Sequence, residues 1–230
     1  MFTVELMVGG TTMPYLVILA ILLRCAKDKP DKYLTAKMTC SSLFMVLGVM
    51  YAMCARQPWN FWWMFPALTC CFLGDYFIGI FRKSKNTRHF MLGLILFLLA
   101  HVGFSVFVIY WHPGIELWNV LLPLGFGLVF LVMEKACRLR MKKLKWPAFV
   151  YCLVLSFFLI KALGFALEVQ SPGAILIGAG AFLFFLSDLS ICFLYFTNYK
   201  SARAKLAVHY FNLITYYISI LVMEIGMGCM

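Results

Sequence analysis

The chain has 230 residues, of which 64% are hydrophobic and only 13% charged, with a formal net charge of +11. A soluble domain averages about 45–50% apolar and about 25% charged residues, so this composition excludes a water-soluble globular protein. The positive balance does not point to nucleic acid, because basic residues in a membrane protein gather in its cytoplasmic loops.

A hydrocarbon core about 30 Å thick takes about 20 helical residues to cross. Apolar segments of that size are predicted as helices at 4–25, 33–55, 59–81, 88–111, 114–136, 146–168, 172–196 and 206–228. The first lies in MFTVELMVGGTTMPYLVILAILLRCAK, which has no basic region ahead of its apolar stretch. It therefore reads as a membrane helix rather than a cleaved signal. KDKPDK, RQPWN, RKSKNTR, WHPG, CRLRMKKLKWP, EVQSPG and NYKSARAK separate the segments. Proline, glycine or dense charge makes each of them a break.

Eighteen of the 20 Lys and Arg residues flank the first, third, fifth and seventh breaks, leaving Arg56 and Lys161 elsewhere. Odd-numbered breaks share one face of the membrane. That face is expected to be cytoplasmic and both termini external or lumenal, in the cell membrane of a bacterium or the endoplasmic reticulum of a eukaryote. The expected fold is an all-α integral membrane protein with eight transmembrane helices in a single domain over residues 1–230.

Two stretches are alike. FLGDYFIGIF (72–81) and FLSDLSICF (185–193) share Phe72/Phe185, Leu73/Leu186, Asp75/Asp188 and Ile78/Ile191 at a constant offset of 113. The same offset carries segment 33–55 onto 146–168 and 88–111 onto 201–224. Two parallel four-helix repeats, 1–112 and 113–230, related by an axis along the membrane normal, are the expectation.

Asp75 and Asp188 lie about 10 and about 13 Å below the basic boundary at 1.5 Å per residue. An isolated charge there costs several kcal/mol in hydrocarbon, and such residues turn inward and are usually functional. Ala174, Gly178, Ala181 and Phe185 share the Asp188 face, where small residues admit a neighbouring helix; Leu68, Cys71 and Gly79 flank Asp75. His101 stands mid-helix, as a site residue or a helix-to-helix hydrogen-bonding group. Lys37 opens the second helix, where its ammonium group is expected to snorkel to the interface. Lys161 and Glu224 toward the external ends, and Glu134 toward the cytoplasmic end, read as boundary or pairing residues.

The nine cysteines are scattered without a CxxC pair, and His89, His101, His112 and His209 are too dispersed for a metal motif. Neither a disulfide framework nor a metal or other cofactor is expected. Two acids at matching depth suit general acid and base catalysis, the two sharing a dry site. They suit equally a proton relay in a small proton-coupled transporter or lipid flippase.

One ordered set of residues goes further. Gly74-Asp75 is followed by Phe90, Gly93, Phe97 and His101, then by Gly180-Ala181, Phe184 and Ser187-Asp188, then by Tyr216-Tyr217. This order and spacing, with Lys37 opening the second helix, resembles the YhhN/lysoplasmalogenase family over nearly the whole chain. The sequence departs from the family pattern at Phe104 (usually Tyr), at Ile220 (usually Gln) and at Met38-Thr39, which follow the lysine where the family has proline. The resemblance implies a membrane hydrolase that cleaves the vinyl ether of lysoplasmalogens, releasing a fatty aldehyde and glycerophosphoethanolamine or glycerophosphocholine. It implies Asp75 and Asp188 as catalytic residues and Lys37, His101, Tyr216 and Tyr217 as substrate-binding residues. Lys37 and Arg82 are the expected phosphate ligands. The implied partners are a lysophospholipid substrate and membrane lipids.

Overall fold

The computed structural model describes residues 4–55, 59 and 61–230, except for the Lys142 side chain. Its helices are α1 (Val4–Asp28), α2 (Tyr33–Cys54), α3 (Phe61–Ser84), α4 (Thr87–Trp111), α5 (Trp118–Ala136), α6 (Lys145–Val169), α7 (Pro172–Phe196) and α8 (Ala202–Gly228). All eight are long and apolar enough to cross a membrane, and no strand occurs among the described residues.

Most helix ends fall within a few residues of expectation, and the exceptions have local causes. α5 begins at Trp118 rather than 114, because Gly114 takes a left-handed φ of 105° in the preceding turn. α8 starts four residues early, at Ala202, where the Ser201 side chain accepts a hydrogen bond from the Ala204 amide. Of the RQPWN break, Arg56, Gln57, Pro58 and Asn60 lie outside the described residues.

Large apolar side chains such as Leu128, Val132 and Leu167 stand exposed, at 64%, 67% and 73%. In water such faces would drive association; along membrane-spanning helices they are the surface offered to lipid chains. Inside, small residues set the spacing. A methyl group built on Gly180 of α7 would lie 2.9 Å from the Ser219 carbonyl oxygen of α8, so the two backbones touch at that point. One built on Gly178 would lie 3.2 Å from the Ala162 carbonyl oxygen, so the stripe on the Asp188 face seats α6.

Most of the packing pairs fall into matched sets. α3 packs on α4 as α7 packs on α8, α1 on α2 as α5 on α6, and α2 on α3 as α6 on α7. Across the middle of the chain, α2 packs on α8 as α6 packs on α4. Among the described residues, α5 has α6 as its one extensive neighbour. The remaining charged residues tie down the ends. Lys161 donates to the carbonyl oxygens of His112 and Gly114 at 3.1 and 2.8 Å, fixing the α4–α5 turn, and Lys145 donates to Glu134 at 3.0 Å. Glu224 differs from its expected boundary role. Its side chain is fully buried against Gly48 of α2, and neither carboxyl oxygen has a hydrogen-bond partner among the described residues.

Candidate active site

Each aspartate sits on the third helix of its half of the chain, and each is met by the second helix of its own half and the fourth helix of the other. Asp75 on α3 takes Lys37 and Ser41 from α2 and Tyr216 and Tyr217 from α8. Asp188 on α7 takes Tyr151 from α6 and His101 from α4.

At the first centre, Lys37 Nζ lies 2.6 Å from Asp75 Oδ1. Asp75 Oδ2 accepts from Ser41 Oγ at 2.6 Å, Tyr216 Oη at 2.9 Å and Tyr217 Oη at 3.5 Å. Lys37 Nζ also lies 5.3 and 5.5 Å from the ring centres of Tyr216 and Tyr217. Lys37 therefore does not snorkel. A carboxylate one helix away, inside the bundle, draws its ammonium group inward rather than toward the interface. Arg82 is committed as well: it donates to the Ala26 carbonyl oxygen at 2.7 Å and covers the Tyr33 ring at 4.1 Å.

At the second centre, Tyr151 Oη donates to Asp188 Oδ2 at 2.5 Å, and His101 Nε2 lies 2.7 Å from the same oxygen and 3.0 Å from Tyr151 Oη. With its proton on Nε2, His101 donates to Asp188. His101 Nδ1 is buried without a partner among the described residues. Phe184, 4.7 Å from the imidazole between ring centres, and Phe158, at 5.8 Å, wall the site. Phe104, where the family pattern has Tyr, stacks on Phe158 at 5.5 Å and so extends this apolar wall.

The two centres open differently. A cavity of about 220 Å³ runs between α4, α5, α6 and α7, lined almost wholly by apolar side chains such as Phe97, Phe130 and Leu155. Asp188 and Tyr151 stand in its wall as its carboxyl and hydroxyl groups. His101 and Tyr151 both engage Oδ2, so no hydrogen bond among the described residues reaches Oδ1. Asp75 is wholly buried and does not line this cavity. The carboxyl groups therefore do not share one site as expected, since each is satisfied by its own set of partners. Packing links them: the Tyr216 ring, held at Asp75, lies 5.3 Å from Phe184, which lies against His101.

A model of the YhhN family matches residues 11–227. The chain belongs to the YhhN family. No curated protein and no solved structure matches it. Of the residues that the family pattern singles out, Lys37, Asp75, Tyr216 and Tyr217 come together at one centre and His101 and Asp188 at the other. Tyr151 was missed in the sequence, where a tyrosine on an apolar helix has no distinguishing context. One signal existed: Tyr151 precedes Asp188 by 37 residues, nearly the spacing of Lys37 from Asp75. Among the described residues no group of three or more His, Cys, Asp or Glu side chains is placed to hold a metal ion.

Proposed function

We propose that this YhhN-family chain is a membrane hydrolase that cleaves the vinyl ether of lysoplasmalogens to a fatty aldehyde and glycerophosphoethanolamine or glycerophosphocholine. The observation that carries the reading is the apolar cavity with a hydrogen-bonded Asp–His–Tyr cluster in its wall. Such a cavity receives a hydrocarbon chain and offers it one proton-transferring group. Basic loops face the cytoplasm, both termini lie outside or in the lumen, and the single domain comprises two parallel four-helix repeats.

Vinyl ether hydrolysis begins with proton transfer to carbon. Asp188, in its acid form, delivers the proton from Oδ1 to the alkenyl carbon β to the ether oxygen, leaving an oxocarbenium ion. Tyr151 and His101, already placed on Oδ2, stabilise the carboxylate as the proton leaves, and the carboxylate faces the cation it has created. Water adds to the cation and gives its proton back to Asp188. The resulting hemiacetal collapses as its hydroxyl proton passes to the departing glycerol oxygen, which releases the aldehyde. Asp188 thus acts first as acid and then as base, as a glycosidase carboxyl group does. Asp75 and Lys37 are positioning residues: they fix Tyr216, which backs Phe184 and through it the His101 ring.

The deciding experiment incubates the purified protein with a lysoplasmalogen and measures aldehyde, beside the saturated alkyl ether as control. Aldehyde from the vinyl ether alone is expected. No aldehyde, together with proton or lipid movement across liposomes, would replace this reading with a transporter or flippase.

A further inference from the structure

Above the apolar cavity, toward the basic side, lies a second one of different character. It occupies about 510 Å³, and its lining contains Lys85, Arg140 and Lys143 and no acidic residue. The two cavities share Phe90, Leu144 and Phe196, so these three side chains form a throat between a cationic vestibule and an apolar chamber. Asp188 lies eight residues below Phe196 on α7, hence about 12 Å beneath the throat.

The vestibule is built rather than incidental. The Arg140 amide donates to the Phe196 carbonyl oxygen at 2.9 Å, which pins the α5–α6 loop over the end of α7. With the Asn198 amide oxygen turned toward it, the Arg140 guanidinium donates at 2.9 and 3.0 Å to a neutral acceptor, so its charge stays uncompensated. Lys85 sits at a left-handed φ of 55° directly after α3. Burial lowers the Lys85 pKa from its ordinary value, and the neighbouring cations Lys205 and Arg82 lower it further. Positive charge crowded without a counter-charge favours an anion in its midst. Lys37 and Arg82, the cations expected for that task, are both occupied elsewhere.

We infer that Lys85, Arg140 and Lys143 form the phosphate-binding subsite for a single-chain phospholipid, whose glycerol passes the Phe90–Leu144–Phe196 throat and whose chain enters the apolar chamber. The inference rests on the hydrolase reading for the identity of the chain-bearing ligand. Its chemistry, a phosphate joined to one hydrocarbon chain, is set by a cationic vestibule opening onto an apolar cavity. Arg140 supplies a planar fork suited to phosphate oxygens and the lysines supply point charges.

Equilibrium binding separates this subsite from turnover. The probes are an alkyl-ether lysophosphatidylcholine, which has no vinyl group to protonate, the 1-O-alkylglycerol of the same chain length, and inorganic phosphate. In the Lys85→Gln/Arg140→Gln/Lys143→Gln protein, affinity for the lysophospholipid is expected to fall by about tenfold or more, with the alkylglycerol unaffected. The Lys85→Gln/Lys143→Gln protein, which keeps the Arg140 contacts, is expected to show part of the same loss. Unchanged lysophospholipid affinity in both proteins would overturn the subsite, as would an equal loss of alkylglycerol binding. Inorganic phosphate that binds as tightly as the lipid would overturn the lipid assignment. Because aldehyde is not the readout, a failed hydrolase assay leaves this result standing, and the reverse holds too.

Discussion

Lys37 and Asp75 form a buried ion pair across α2 and α3, 2.6 Å apart, with their side chains 5% and 0% exposed. Removing one partner of such a pair leaves the other charge uncompensated, at roughly 3–5 kcal/mol. Asp75→Asn is therefore expected to destabilise the protein by about that amount. Lys37→Met/Asp75→Asn should recover most of the loss, since the asparagine oxygen still accepts from the three hydroxyl groups. Thermal unfolding in detergent checks both. An Asp75→Asn protein as stable as the parent would show that the pair contributes nothing.

On the proposed mechanism, Asp188 and its two partners carry the chemistry. Asp188→Asn is expected to abolish aldehyde release while the protein still inserts and purifies normally. Tyr151→Phe removes one donor to the carboxylate and keeps the ring, so kcat should fall by about a hundredfold with little change in KM. Steady-state kinetics on the vinyl-ether lipid make the comparison, and full activity in Tyr151→Phe would remove the tyrosine from the mechanism.

Backbone contact at Gly180 leaves no room for a side chain. Gly180→Val would drive α7 and α8 apart at Ser219 and Met223, at a cost of at least about 1–3 kcal/mol. α8 holds Tyr216 and Tyr217 at Asp75 and α7 holds Asp188, so activity should fall along with the unfolding temperature. A Gly180→Val protein with the parent's unfolding temperature would contradict the close approach.

Glu224 offers a gain in stability. Both of its oxygens are buried without hydrogen bonds among the described residues, and an unsatisfied buried polar group costs about 1–3 kcal/mol. Glu224→Met keeps similar bulk and removes that cost, so the unfolding temperature should rise. A fall instead would mean that the carboxyl group serves a partner within the folded bundle.

Much of this architecture was legible in the sequence, because a membrane enforces long apolar runs and the basic breaks separate them. The aspartates could be found for the same reason, as rare carboxyl groups in apolar helices. Their partners could not. Tyr151 reaches Asp188 across 37 residues and Tyr216 reaches Asp75 across 141, contacts set by helix packing rather than by local pattern. Lys37 misled as a snorkelling lysine because its position near a helix end gives no hint of a carboxylate on the adjacent helix. The vestibule was hidden in another way: Lys85, Arg140 and Lys143 belong to breaks whose charge the expected membrane orientation would account for by itself.

The crossed arrangement of partners bears on the order in which the protein is made. Tyr216 and Tyr217 leave the ribosome about 140 residues after Asp75, so the carboxylate enters the bilayer long before α8 can cover it. During that interval Lys37 and Ser41, both synthesised earlier, are its polar partners. The Lys37–Asp75 pair is complete within the first three helices. It therefore neutralises an otherwise costly charge in the half-built bundle, while Asp188 meets both Tyr151 and His101 already in place when it arrives.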